Sequence, residues 1–163
     1  MYKKKLNIAH VGIHNKANLN SGDTLLFSIV RDLFDFFYKD KINWNLIQIW
    51  DEFTSELAND FNNKFDGIIL GGGGLLLKDQ KGSDVKNSGW QWNCNSEVMN
   101  KINIPLIIFA IGYNRFRDQE EFDQIFYDSM NTMYSKSDFF SLRNNGSIDR
   151  VKEYIKKNID DTN

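Results

Sequence analysis

Short apolar runs alternate along the chain with longer stretches in which apolar residues recur every three or four positions. LNIAHVG (6–12), NWNLIQIW (43–50), GIIL (67–70), LIIFAIG (106–112) and DFFSLR (138–143) read as strands. DTLLFSIVRDLFDFFYK (23–39) sets Leu25, Leu26, Ile29, Val30, Leu33, Phe34 and Phe37 at helical spacing, with Ser21 as N-cap and Asp23 in the first turn. A second helix, Thr54 to Asn62, turns Leu57, Ala58 and Phe61 inward, and a short third covers Glu97 to Ile102 ahead of Pro105. Asp118 and Glu121 resemble a capping box for a fourth helix with Phe122, Ile125, Phe126, Met130 and Met133 as its core stripe. Ser147 caps a fifth, with Ile148, Val151, Tyr154 and Ile155 inward.

This order predicts an α/β fold, a doubly wound parallel sheet (Rossmann-like) with helices on both faces. LIIFAIG is apolar on both faces, as a central parallel strand should be. No repeat or linker divides the chain, so residues 1–163 are expected to form one domain.

One stretch departs from the pattern. FDGIILGGGGLLL (65–77) places Gly71, Gly72, Gly73 and Gly74 between two apolar runs, where glycine's backbone entropy cost is greatest. A tight strand-to-helix turn with close packing would use some of them. Four in a row favour a cradle of bare backbone that an anion or a sugar can approach. In such sheets ligands bind beyond the carboxyl ends of the strands, near the point where strand order reverses. The unusual loops all fall there: HNKANLNSGD after the first strand, GGGG after the third, GYNRFRD after the fourth and RNNGS after the fifth.

Composition narrows the chemistry. Apolar residues make up 41% of the 163 and net charge is −2, which supplies a core and no electrostatic footprint for nucleic acid. The single cysteine, Cys94, cannot form an internal disulfide, so a cytoplasmic setting is expected. No His or Cys pair has metal-ligand spacing, so no metal site is expected. The first strand–helix turn has no G-x-G-x-x-G, and neither a P-loop nor a G-x-S-x-G elbow occurs. A dinucleotide enzyme, a P-loop NTPase and an α/β-hydrolase are therefore disfavoured, and no cofactor is expected.

Several side chains at the rim can carry chemistry. Asp23 is a general acid or base, an acceptor for a ligand hydroxyl, or a helix-capping group. His14, in the first loop, can shuttle a proton, whereas His10, inside the first strand, reads as a hydrogen-bonded core residue. Arg115, Arg117 and Arg143 offer guanidinium forks for phosphate or carboxylate, Arg143 being the best placed and Arg117 the most apt to stay solvated. Trp90 and Trp92 form either a platform for a sugar or a partner, or packing over their own polar, irregular segment (78–95), the second being favoured.

Taken in order, Asn20, Gly22, Asp23, Leu25 and Leu26 (N-x-GD-x-L-L), D-G-I-I-L-GGGG-L-L, the I-x-x-I-G strand end at Gly112, and S-L-R-x-x-x-S (Ser141, Leu142, Arg143, Ser147) resemble the polysaccharide pyruvyl transferase family over essentially the whole chain. The resemblance implies one half of a glycosyltransferase-B-like architecture, two Rossmann-like domains facing across a cleft. This chain would be the N-terminal half. Family members run to about twice this length, so the C-terminal domain would be absent, or supplied by a separate partner chain. It also implies transfer of pyruvate as a ketal from phosphoenolpyruvate to sugar hydroxyls of a cell-surface polysaccharide precursor, without a metal. Asp23 and His14 are then the catalytic candidates, and Asn20, Gly22, Gly71–Gly74, Asn114, Arg115 and Arg143 the substrate-binding ones, with acceptor-sugar binding the share expected of this half. The donor-site residues would lie in the other. A nucleotide-sugar glycosyltransferase half and a non-catalytic carbohydrate-binding or assembly module are the alternatives.

Overall fold

The computed structural model describes residues 5–14, 21–39, 41–78, 84–116 and 118–155. Five strands, β1 (Leu6–Gly12), β2 (Ile42–Gln48), β3 (Gly67–Leu76), β4 (Leu106–Tyr113) and β5 (Phe139–Leu142), form one parallel sheet in the order β2-β1-β3-β4-β5. Five helices join and follow them: α1 (Ser21–Tyr38), α2 (Ser55–Lys64), α3 (Ser96–Asn100), α4 (Gln124–Lys136) and α5 (Asn145–Lys152). The expected doubly wound α/β fold is what the chain forms.

The strands alternate their apolar residues between two layers. Ala9, Val11, Ile68, Leu70, Leu106 and Ile108 point to the layer built by α2, α3, α4 and α5. Ile8, Ile42 and Ile69 point to the other, where Val30 and Phe34 of α1 meet them. Strand order reverses between β1 and β3, so the carboxyl ends of those two strands mark the switch point. The start of α1 lies there.

Four expectations are corrected. The inward face of α1 is carried by Phe27 and Val30, while Leu25, Ile29, Leu33 and Phe37 are exposed. α1 is apolar on nearly every side, so periodicity alone could not choose its buried stripe. Its first residue is Ser21, which is therefore inside the helix rather than its cap. α4 is capped by Asp123, whose side chain accepts from Phe126 N, and not by Asp118, which sits in a turn at φ 74°. α5 is capped by Asn144, while Ser147 is buried and its hydroxyl accepts from the Tyr113 backbone N–H at 3.0 Å. The segment Ser88–Cys94 is irregular, as expected, and its burial bears out the favoured packing role of its tryptophans. Trp90 and Trp92 pack edge to face at 6.1 Å inside the core, with Trp90 Nε1 donating to Ser129 Oγ at 3.0 Å. They are core rather than a platform. Burial also pushes the Cys94 thiol up to about 12.

His10 is the core residue expected of it. It is buried beneath α1, stacked on Phe27 at 3.8 Å between ring centroids, with Nε2 3.2 Å from Gly71 O and Nδ1 3.3 Å from Arg31. Arginine can only donate, so Nδ1 accepts and the ring proton resides on Nε2, which donates to Gly71. Burial, with the Arg31 cation beside it, lowers the His10 pKa to about 3. The unfolded chain takes up this proton near pH ~6.5, so the native state loses stability as pH falls from there towards 3. The slope from this residue approaches about 1.4 kcal/mol per pH unit. Urea unfolding between pH 7 and 5.5, where carboxylates stay ionised, should show that fall, and His10→Gln should flatten it. An equal slope in both proteins would mean that His10 does not set it.

Candidate functional site

The glycine run is not a loop. Gly71–Gly74 continue β3, and all four are buried. A Cβ on Gly71 would lie 1.8 Å from the Phe109 carbonyl oxygen of β4. A Cβ on Gly72, whose φ is +84°, would lie 2.8 Å from both Leu26 O and Phe27 Cα of α1. Bare backbone is needed because α1 and β4 press against it from two sides. The space expected for a ligand at Gly71 and Gly72 is filled by the protein itself, so the close-packing role replaces the cradle there.

What the glycines build is a distorted rim. Pairing of β3 with β4 slips between Gly73 and Leu76, and pairing of β4 with β5 slips between Ile108 and Ile111. Ala110 adopts φ 52° within the second irregularity, and the Ser141 hydroxyl accepts its N–H at 3.1 Å in place of a ladder partner. Beyond these bulges, polar groups from three strands and α1 converge. The Gly74 N–H donates to Asp23 Oδ1 at 3.0 Å. The Gly74 carbonyl accepts from Asn114 Nδ2 at 3.3 Å and from Gln91 Nε2 at 3.4 Å. Asn114 Oδ1 in turn accepts from the Arg143 guanidinium at 3.4 Å.

Each member is placed by a distinct local cause. Asp23 belongs in the first turn of α1, where a carboxylate suits the helix dipole. Asn114 follows β4 and is held by its own N–H, which donates to Leu76 O at 2.9 Å. Arg143 follows β5, its N–H donating to Ile111 O at 2.9 Å. Its guanidinium lies over Gly112, where a Cβ would come within 2.7 Å of Cζ. Gly112 thus leaves the flat face on which the cation rests. Asp23 is half-buried and Arg143 exposed, so an anionic oxygen and a cation share one wet rim with an amide between them.

Beside this chain lies a cavity of about 310 Å³ lined by Tyr113, Arg115, Phe116, Asp118 and Arg150. Arg115 donates to Gln119 O through Nε and Nη2 and pairs with Glu121, while Arg150 pairs with Glu153. With the two guanidiniums matched by nearby carboxylates and Asp118 added, the lining suits a neutral, hydroxyl-rich ligand better than a strong anion. Phe116 is 61% exposed and offers a ring face at the mouth.

The structure therefore joins Asp23, Gly74, Asn114 and Arg143 directly, and places Arg115 in the adjoining cavity. Gly71, Gly72 and Gly73 serve as packing behind them. Gly22 is exposed in the first turn of α1. His14 lies two residues past β1, its ring stacked on Phe27 at 5.7 Å and its carbonyl accepting from Gln48 Nε2. Asn20 and Arg117 lie outside the described residues. Sequence reading missed Gln91, Phe116, Asp118 and Arg150 as rim groups. Only Gln91 had a signal, since in W-Q-W a residue between two buried tryptophans must face the other way. Among the described residues, no group of three His, Cys, Asp or Glu side chains is placed to hold a metal ion.

A family model described as polysaccharide pyruvyl transferase matches residues 20–161. No curated protein matches the chain.

Proposed function

The chain belongs to the polysaccharide pyruvyl transferase family, and from that premise we propose that its rim binds the acceptor saccharide for ketal transfer of pyruvate from phosphoenolpyruvate. The single observation that carries this reading is the bonded sequence Asp23–Gly74–Asn114–Arg143 at the sheet's switch point. The matched region contains every member of it.

In the proposed reaction, protonation of the phosphoenolpyruvate methylene gives a methyl group and an electrophilic carbon. One sugar hydroxyl adds to that carbon, a second displaces phosphate, and the ring closes as a ketal. Of the two hydroxyl protons, one balances the new methyl group and the other leaves with phosphate. Asp23 accepts a hydroxyl proton, and the backbone N–H of Gly74 fixes which of its oxygens faces inward. Arg143, steadied by Asn114, supplies a cation for the developing charge. Tyr113 and Phe116 present ring faces to the apolar side of a sugar, while Asp118, Arg115 and Arg150 meet its hydroxyls.

The donor's phosphate and carboxylate need further cations. We assign them to a second Rossmann-like half facing this rim across a cleft, whether in the same polypeptide or in a partner chain. The setting in this reading is cytoplasmic, supported by one cysteine whose thiol is buried.

Acceptor-dependent release of phosphate from phosphoenolpyruvate, measured with and without a cognate second half, tests the proposal. Release that requires a saccharide is expected. Turnover of a nucleotide-sugar with phosphoenolpyruvate untouched would overturn it. Phe116→Ala should raise KM for the saccharide about fivefold with kcat nearly unchanged, since one lost ring face is worth about 1 kcal/mol.

A further inference from the structure

Gln91 is a buried amide with both of its ends engaged. It is 1% exposed, between Trp90 and Trp92, and its side chain reaches towards the rim. Trp50 Nε1 donates to Gln91 Oε1 at 3.0 Å. An indole N–H can only donate, so the amide oxygen must face Trp50 and the amide nitrogen must face the other way. There Nε2 donates to the Gly74 carbonyl at 3.4 Å. A flipped amide would set donor against donor at Trp50 and acceptor against acceptor at Gly74, so a single orientation is enforced.

Both anchors of this strut are firm. Trp50 follows β2, and its carbonyl accepts from Asn93 Nδ2 at 3.3 Å. The Asn93 backbone is tied to the same stretch, its N–H donating to Ile49 O at 3.1 Å and its carbonyl accepting from Phe53 N at 2.8 Å. On either side of Gln91 the buried indoles of Trp90 and Trp92 fix the chain in the core.

Gly74 is where such rigidity matters. It has no Cβ to restrict its dihedrals, and it lies within the register slip between Gly73 and Leu76, outside the regular β3–β4 pairing. Its N–H donates to Asp23 Oδ1, and its carbonyl takes two donors, Asn114 Nδ2 and Gln91 Nε2. Asn114 is half-buried at the rim and also holds Arg143, so a ligand that draws on either group pulls at Asn114. Gln91 is closed to ligand and keeps its hold. Networks of this kind fix geometry beyond what each bond contributes alone.

We propose that Gln91 is the positioning residue of the rim: it fixes the Gly74 backbone, and through the Gly74 N–H it holds Asp23 in the orientation that accepts a proton from the acceptor hydroxyl. This assignment rests on the reading of the rim as the acceptor site. Gln91 meets no substrate and acts only through Gly74.

Gln91→Met keeps the length of the side chain and removes both hydrogen-bonding groups. Amide hydrogen exchange in the isotopically labelled chain should then speed up at Gly74 at least about tenfold more than at Ile69 and Leu70, buried earlier in β3. Acceptor-dependent phosphate release should lose about tenfold in kcat with saccharide KM nearly unchanged. Gln91→Glu keeps an acceptor for Trp50 but donates to Gly74 only while its carboxyl is protonated, the form that burial favours. Its Gly74 exchange should match wild type at about pH 5 and rise as that carboxyl ionises, a pH dependence that Gln91→Met lacks. This second variant carries the test if Gln91→Met does not fold. Gly74 exchange unchanged by Gln91→Met, or raised equally at Gly74, Ile69 and Leu70, would overturn the proposal. So would a kcat kept by Gln91→Met alongside one lost by Asp23→Asn. The two failures are distinct. Wild type that turns over a nucleotide-sugar and leaves phosphoenolpyruvate untouched contradicts the acceptor reading of the whole rim, whereas a Gly74 amide indifferent to Gln91 contradicts this assignment alone.

Discussion

Gly71→Ala is expected to prevent folding. The new methyl would have to occupy a point 1.8 Å from the Phe109 carbonyl oxygen, which belongs to the backbone of a neighbouring central strand and cannot rotate away. Relief requires β3 and β4 to part in the middle of the sheet, where Gly71 O also accepts from buried His10. A loss of at least about 4 kcal/mol follows, enough to unfold a domain of ordinary stability. Gly74→Ala makes the contrast. Its methyl would lie 1.9 Å from Asn114 Nδ2, the far end of a side chain that can swing aside. That variant should fold, lose about 1–2 kcal/mol, and part Asn114 from Gly74. Soluble yield and urea midpoints check both, and a Gly71→Ala protein with the wild-type midpoint would refute the packing role of the run.

Asp23→Asn is expected to lower the proposed pyruvyl transfer at least about a hundredfold with little change in stability. Asparagine keeps an oxygen to accept from the Gly74 N–H, so the start of α1 stays in place. It cannot take a proton from a sugar hydroxyl. The loss should fall on kcat rather than on saccharide KM. A variant of undiminished kcat would reduce Asp23 to a helix-positioning residue. Arg143→Gln, which keeps a hydrogen-bond donor towards Asn114 but removes the charge, should cost less, since the cation is exposed and works through water.

The layered fold was legible from the alternation of short apolar runs with helical periods, and from β4, which is apolar on both faces as a covered central parallel strand should be. The inward side of α1 was not legible. Leu25, Phe27, Ile29, Val30, Leu33, Phe34, Phe36 and Phe37 give an apolar residue at nearly every angle. The choice was made by Gly12 and Gly72, whose missing side chains admit Phe27 and the backbone around it. Gly71–Gly74 are read as a loop in the sequence because glycine disfavours strands, and only the double bulge across β3, β4 and β5 reveals why a strand should carry them. Helix starts were misassigned where several residues could cap. Asp123 prevails over Asp118 because Phe122 stacks on Phe126 at 3.8 Å and fixes the first turn there.

At the rim, Asp23, Asn114 and Arg143 could be named from their loops alone, since β-strand topology brings loop ends together whatever the loops contain. The bond sequence joining them could not, because it passes through the Gly74 backbone and depends on the bulge that turns that peptide outward. The cavity beside it combines Tyr113 and Phe116 with Arg150 from a helix, a pairing no spacing in the sequence announces.

The most direct measurement is a titration of the isotopically labelled chain with an acceptor saccharide, followed through its assigned backbone amides. Shifts centred on Gly74, Asn114, Phe116 and Arg143 are predicted, with Asp23→Asn altering them only locally. Shifts confined to the α4–α5 side of the sheet or to the Lys39–Lys41 edge, with the rim silent, would contradict the assignment of the acceptor to this site.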